Sequence, residues 1–221
     1  VHISAGVALL PSREAAQVIG PENCNSVSEP IAYVIILAGG RSSRMGYDKA
    51  QVMVDERRLI DLCLESIASV HAHPIVVSGQ DLQLTAAVTQ VMEEPAFGGP
   101  VAGIAAGMRC CDTKAGLIGV IAVDAPRSGN YLNQLRRVVL THPEVGVAHA
   151  VVEGYDQPLL AVWRYEALTQ ALHALGSPRN VAAKRLLRSA TTPVIAVPVD
   201  SSARDYDTVA ELSALGRVRL R

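Results

Sequence analysis

The chain has 221 residues, of which 49% are apolar and 19% charged, with a formal net charge of −1. That length suits one large α/β domain, or one domain with a tail, and the apolar content is enough for a sizeable core. The near-neutral balance excludes a global attraction to nucleic acid or anionic membranes, and the 4% aromatic content excludes a base-stacking platform for single strands.

Residues 1–31 read as an N-terminal extension, poorly ordered, ahead of a domain over 32–221. Val7 to Leu10 suits a short strand and Ser12 a helix cap, and a polar linker follows Gly20-Pro21. A lid or a dimer arm is the functional alternative for this stretch. The domain opens with Ala32-Tyr33-Val34-Ile35-Ile36-Leu37-Ala38, an apolar run typical of a strand buried on both faces. Gly39-Gly40 end it, and Arg41, Arg44, Gly46 and Lys49 follow. Glycines let backbone N–H groups approach a ligand closely, and successive N–H groups form an anion-binding hollow. Three cations beside it make a loop suited to a polyphosphate. Neither Gly-x-x-x-x-Gly-Lys-Ser/Thr nor Gly-x-Gly-x-x-Gly is present after the strand.

The fourteen residues Leu37 to Ala50 (Leu-Ala-Gly-Gly-x-Ser-x-Arg-Met-Gly-x-Asp-Lys-Ala) resemble the signature of nucleotidyltransferases related to molybdenum cofactor guanylyltransferase. The similarity runs from about Ala32 to Leu215. It implies a single three-layer domain, a mostly parallel twisted sheet with helices on both faces, acting as an Mg2+-dependent nucleotidyltransferase on GTP and Mo-molybdopterin.

Further elements agree with such a fold. Gln51 to Val54 suits a short extended piece, helical spacing covers 58–69, and strands are expected at Pro74 to Gly79, Ala87 to Met92 and Leu117 to Val123. Strands alternating with helices imply a parallel sheet, whose ligands bind at the carboxyl ends, where Gly39, Ser78 and Glu94 would lie. Gly98-Gly99-Pro100-Val101-Ala102-Gly103 reads as a helix start permitting close approach. By resemblance its backbone at Gly99, Pro100 and Gly103 meets the nucleobase, with tight helix-on-sheet packing as the other reading. Asp124-Ala125-Pro126 ends a central strand. Mg2+ takes one or two carboxylates plus phosphate oxygens, so Asp124 suits a metal ligand; a cap for a helix over 127–140 is the alternative.

Downstream, Val145 to Val152 and Gln157 to Val162 read as strands joined by a turn at Glu153 to Asp156. By resemblance, Gln157 to Val162 faces the second substrate. Trp163 reads as a core residue. Helices are expected at 166–175 and 181–187, with Arg179, Lys184 and Arg185 as a basic cluster between surface and substrate roles. A strand at 192–197 precedes Asp205-Tyr206-Asp207-Thr208 and a short helix, Val209 to Leu215. Many members of the resembled family carry Asn-x-Asn-Thr there. The Asp pair either adds a metal ligand through Asp207 or caps the helix.

The expected site is therefore Arg44, Lys49 and Asp124 for catalysis. Leu37, Ala38, Gly39, Gly40, Lys49, Ser78, Glu94, Gly99, Pro100 and Gly103 would hold the nucleotide, and Asp124 with Asp207 the metal. Alternatives are cytidylyl or guanylyl transfer to another phosphorylated acceptor, or a nucleotide-binding protein that has lost catalysis. A molybdenum-insertion protein and a recipient oxidoreductase are implied as partners. Four cysteines without a Cys-x-x-Cys pair suggest reduced thiols and a cytoplasmic protein. The first residues lack the basic n-region of a signal peptide, and no apolar run reaches the roughly 18 residues of a membrane span. The six histidines read as surface or loop residues without carboxylate partners.

Overall fold

The computed structural model describes residues 29–39, 48–93, 98–113 and 116–220. Expectations that fall on 1–28, 40–47 or 94–97, including those for Gly40, Arg41, Arg44 and Glu94, lie outside the described residues.

Strand β1 (Ile31–Leu37) sits at the heart of a seven-stranded sheet. Its other members are β4 (His73–Val77), β5 (Thr89–Val91), β6 (Leu117–Ala122), β7 (Val147–Val152), β8 (Tyr155–Arg164) and β9 (Val194–Val199). They lie in the order β5-β4-β1-β6-β8-β7-β9. The pairings make every strand parallel to β1 except β8, which runs against both neighbours. The expected mostly parallel α/β architecture is what the chain adopts.

Alternation along β1 builds two cores. Val34 and Ile36 face the layer containing α1 (Leu59–Ser66) and α3 (Leu132–Thr141). Ile35 and Leu37 face α2 (Pro100–Met108), α4 (Tyr165–Ala174) and α5 (Ala183–Arg188). Ile35 and Ile36 are both 0% exposed, and burying each contributes about 1.5–3 kcal/mol. Helix α2 lies against β1 because it is made of small residues. A Cβ on Gly103 would come within 2.9 Å of Leu37 Cδ2, and one on Gly107 within 2.8 Å of Ile35 Cγ2. Trp163 is 1% exposed, in the core as expected.

The differences from expectation have local causes. The β7–β8 turn is only Glu153-Gly154, both with positive φ (50° and 85°), the geometry of a two-residue hairpin. Tyr155 and Asp156 therefore join the strand. The helix expected over 127–140 begins as a 3-10 turn, Ser128–Tyr131, before α3. A second, antiparallel sheet of β10 (Val218–Arg219), β2 (Met53–Val54) and β3 (Arg57–Arg58) was not expected. Of its strands only β2 was foreseen, as part of the extended piece at Gln51 to Val54; strands of two residues carry too little periodicity for their pairing to be read.

Candidate active site

Strands β4, β1 and β6 are neighbours and parallel, so the segments that follow them emerge side by side at one edge. These segments begin at Ser78, Ala38 and Val123. The ladder continues a step past the strands: Ala38 N–H donates to Val77 O at 2.9 Å and Val123 N–H to Leu37 O at 3.0 Å. Leu37 points into the core, whereas Gly39 is exposed at the rim. A Cβ on Gly39 would lie an ordinary 3.6 Å from Val77 O, so its backbone is open to a ligand.

Asp48 presents Lys49. Its carboxylate accepts from Ala50 N–H at 3.0 Å and caps the 3-10 turn Lys49–Gln51, while Ala50 is buried. This local cap, a recurrent use of Asp, fixes the base of the lysine. The Lys49 ammonium then lies 3.0 Å from Asp207 Oδ1 and 3.4 Å from Asp124 Oδ2. Burial pushes the Asp124 carboxyl above the usual carboxylate range; Lys49 opposes that, and Asp205 and Asp207 add to it. A half-buried carboxylate among like charges calls for a cation.

Asp207 reaches this point because its own helix does not need it. Helix α6 (Val209–Leu212) is capped by Thr208, whose hydroxyl accepts from Glu211 N–H while Glu211 accepts from Thr208 N–H. Upstream, Tyr206 is buried and its N–H donates to Asp124 O at 2.9 Å, tying the two acidic segments together.

On the β4 side, Ser78 is 2% exposed and its hydroxyl donates to Gln80 O and accepts from Gln80 N–H. It shapes the turn, and lines the site next to Gly39 with its backbone. Gly99 has φ +88°, a conformation that favours glycine, and Pro100 opens α2. Gly103 faces Leu37 and Glu93, so close packing accounts for it. Glu93 was missed from sequence: its Oε2 accepts from Gly98 N–H at 2.7 Å, in the loop that leads into α2. Asn180 N–H donates to Gly98 O at 2.6 Å and brings the segment before α5 to the same loop.

One expectation needs revision. His149 is neither surface nor loop: it lies in β7, 6% exposed, with Nε2 3.1 Å from Asp156 Oδ1. Alternation along a buried strand was the signal that could have found it. A cavity of about 410 Å3, lined by Val54, Asp55, Arg57 and Glu65, borders Pro126 and Arg127 but none of the expected site residues.

Asp124 and Asp207 offer hard oxygen donors already facing one positive charge, which suits a divalent cation. Among the described residues no group of three or more His, Cys, Asp or Glu is arranged to hold a metal. An ion here would need further oxygens from a triphosphate, the manner in which Mg2+ is commonly held.

The carboxyl edge thus marks an α/β domain of the nucleotidyltransferase type. A model of the MobA-like NTP transferase domain matches residues 34–212, and the chain belongs to that family. It is 32% identical over 172 residues to a probable molybdenum cofactor guanylyltransferase of Opitutus terrae, covering 74% of this chain and 83% of that one. A molybdenum cofactor guanylyltransferase of Sinorhizobium fredii is 31% identical over 138 residues, 58% of this chain and 62% of its own. Among solved structures, molybdopterin-guanine dinucleotide biosynthesis protein A from Archaeoglobus fulgidus shares the fold. It superposes with a TM-score of 0.63 at 22% identity, over 82% of this chain and 95% of that one. The chain is a nucleotidyltransferase. Among the described residues no helix is long and apolar enough to cross a membrane.

Proposed function

We propose that the protein transfers GMP from GTP to the terminal phosphate of Mo-molybdopterin, releasing pyrophosphate. An oxygen of the acceptor phosphate bonds to the α-phosphorus as the bond from that phosphorus to the β-phosphate oxygen breaks. The attacking oxygen is already ionised, so no general base is required, and the work is positioning and charge stabilisation. The observation that carries the reading is the Lys49 ammonium held between Asp124 and Asp207, with the Asp124 segment hydrogen-bonded to the end of β1 through Val123 N–H and Leu37 O. The relatives' names supply guanine and the molybdenum cofactor.

In this reading the backbone from Leu37 through Gly39 and Gly40, with Arg44, holds the β and γ phosphates. Lys49 stabilises charge developing at the α-phosphate. Asp124 and Asp207 hold Mg2+, which when bound neutralises phosphate charge. Ser78, Glu94 and the Gly99-Pro100 turn border the guanine, with Glu93 fixing the loop's shape. Gly103 contributes by letting α2 approach the sheet. A cytoplasmic setting, a molybdenum-insertion protein and a recipient oxidoreductase follow from the same reading.

Pyrophosphate release, measured with Mg2+ and Mo-molybdopterin while GTP, CTP and ATP are supplied in turn, tests it. Release with GTP alone is expected. Release with CTP alone would retain the chemistry and overturn the base, a relevant outcome because Asp205 and Asp207 stand where many relatives of the resembled type have Asn. Nucleotide binding without release from any of the three would overturn the proposed transfer.

A further inference from the structure

Asp124 and Asp207 reach Lys49 from strands that are not neighbours. Asp124 follows β6 and Asp207 follows β9, with β8 and β7 between them. At about 4.8 Å per strand, the two strand ends start about 14 Å apart. Both carboxylates nevertheless lie within 3.4 Å of one ammonium. The segment 200–207 therefore travels back along the sheet edge, and the strand ladder does not hold it there.

Side chains tie this segment down at its start. Asp200 caps the 3-10 turn Ser201–Ala203, accepting from Ser202 N–H at 2.8 Å. Tyr131, at the end of the 3-10 turn that follows Asp124, donates its hydroxyl to the Asp200 carboxylate and lies 2.7 Å from Ser202 Oγ. A phenol bonded to a carboxylate is a charge-assisted contact, stronger than one between neutral groups. Further along, Arg204 stacks 4.8 Å over the ring of Tyr206, whose N–H meets Asp124 O.

We propose that Tyr131 is a positioning residue: its hydroxyl, bonded to Asp200 and Ser202, fixes the crossing segment that delivers Asp207 to Lys49 and Asp124. The proposal rests on the reading of Asp207 as a metal-holding group. Tyr131 itself touches neither nucleotide nor metal in this scheme. It acts through the path of the backbone from 200 to 207.

The test compares the full chain as wild type, Tyr131→Phe, Asp207→Asn and the double variant. Two quantities are read: Mn2+ binding in the presence of GTP by electron paramagnetic resonance, and the Mg2+ dependence of pyrophosphate release at saturating GTP. Tyr131→Phe should weaken Mn2+ binding and raise the Mg2+ requirement about tenfold, the scale of one hydrogen bond to a charged group. KM for GTP should stay within about twofold, since the phosphate loop is untouched. In the Asp207→Asn background the same change should add nothing, because coupled residues are non-additive. In nucleotide-free protein, hydrogen exchange at the Tyr206 amide should quicken in Tyr131→Phe. Ser202→Ala, which leaves the Tyr131–Asp200 bond in place, should shift metal dependence in the same direction by less.

A Tyr131→Phe protein that melts earlier but keeps its metal affinity would overturn the proposal, as would full additivity with Asp207→Asn. Should Asp207→Asn leave Mn2+ binding unchanged, the metal reading of Asp207 falls and the proposal with it. Should Asp207→Asn weaken the metal while Tyr131→Phe and Ser202→Ala do nothing, the proposal alone falls.

Discussion

Lys49 touches carboxylates 75 and 158 residues away, so one side chain joins three distant parts of the chain. Losing a single preorganised charge-stabilising donor costs about 3–4 kcal/mol in transition-state energy. Lys49→Ala should therefore lower turnover about a hundredfold or more, with circular dichroism unchanged; pyrophosphate release measures it, and unaltered turnover would remove Lys49 from the chemistry. A pH effect belongs to Asp200. The Tyr131 hydroxyl first, then the Ser202 N–H and side chain, hold its carboxyl below the usual carboxylate range. A depressed folded-state pKa contributes stability that is complete above the unfolded pKa, near 4, and is lost as pH falls through the depressed value. The melting difference between wild type and Tyr131→Phe should accordingly hold from about pH 7 to 5 and close below about pH 4. Lys49 and Asp124 were legible from sequence because each stands in a dense local motif at a strand end. Glu93 was not. It belongs to none of the glycine or Asp motifs, and its partner, the Gly98 N–H, lies five residues further on. His149 escaped for a different reason: its partner Asp156 was assigned to a turn that the two-residue hairpin made into strand.

Helix α2 is an element defined by what its residues lack. Gly103 and Gly107, one turn apart, face Leu37 and Ile35, and these close contacts set the height of the helix over the sheet. Gly107→Ala puts a methyl where Ile35 already stands at 2.8 Å; this overpacking should cost about 1–3 kcal/mol, measured by urea unfolding, despite alanine's better helix propensity. A neutral or stabilising result would mean that β1 and α2 separate easily. The small-residue spacing made this contact legible in advance, since helical periodicity and residue size are both local properties. Elements whose existence depends on a distant partner were the ones missed. Strand β10 joins the local β2–β3 pair because residues 217–219 return to Val54 and Asp55, where Asp55 N–H donates to Arg217 O and Arg217 N–H to Asp55 Oδ1.

At the level of the whole molecule, two kinds of structure hold the site. The sheet interior carries β1 and β6, whose side chains are largely buried; the return segment after β9 is a run of short turns, much of it exposed. Local opening is easiest where few apolar groups are buried. In rising urea, Mn2+·GTP binding should fail before the fluorescence of the buried Trp163 changes; coincident loss of both would mean that the return segment is as firmly held as the core. The fold class was readable from the alternation of strands and helices. The reversal of β8 was implied by the short turn at 153–156, since parallel neighbours need a crossover of about a dozen residues or more; its insertion between β6 and β7 was not, because strand order is set by pairing.

The two long-range partners of Lys49 also impose an order in time. A polypeptide emerges from the ribosome amino end first, and its domains fold as their residues appear. Lys49 and Asp124 are made before Asp207, which follows Lys49 by 158 residues. A nascent chain stalled before residue 207 has only one of the two carboxylates for the ammonium and no strand β10 to close the second sheet. In the proposed scheme, a product that stops short of Asp207 carries an incomplete site rather than a weakened one.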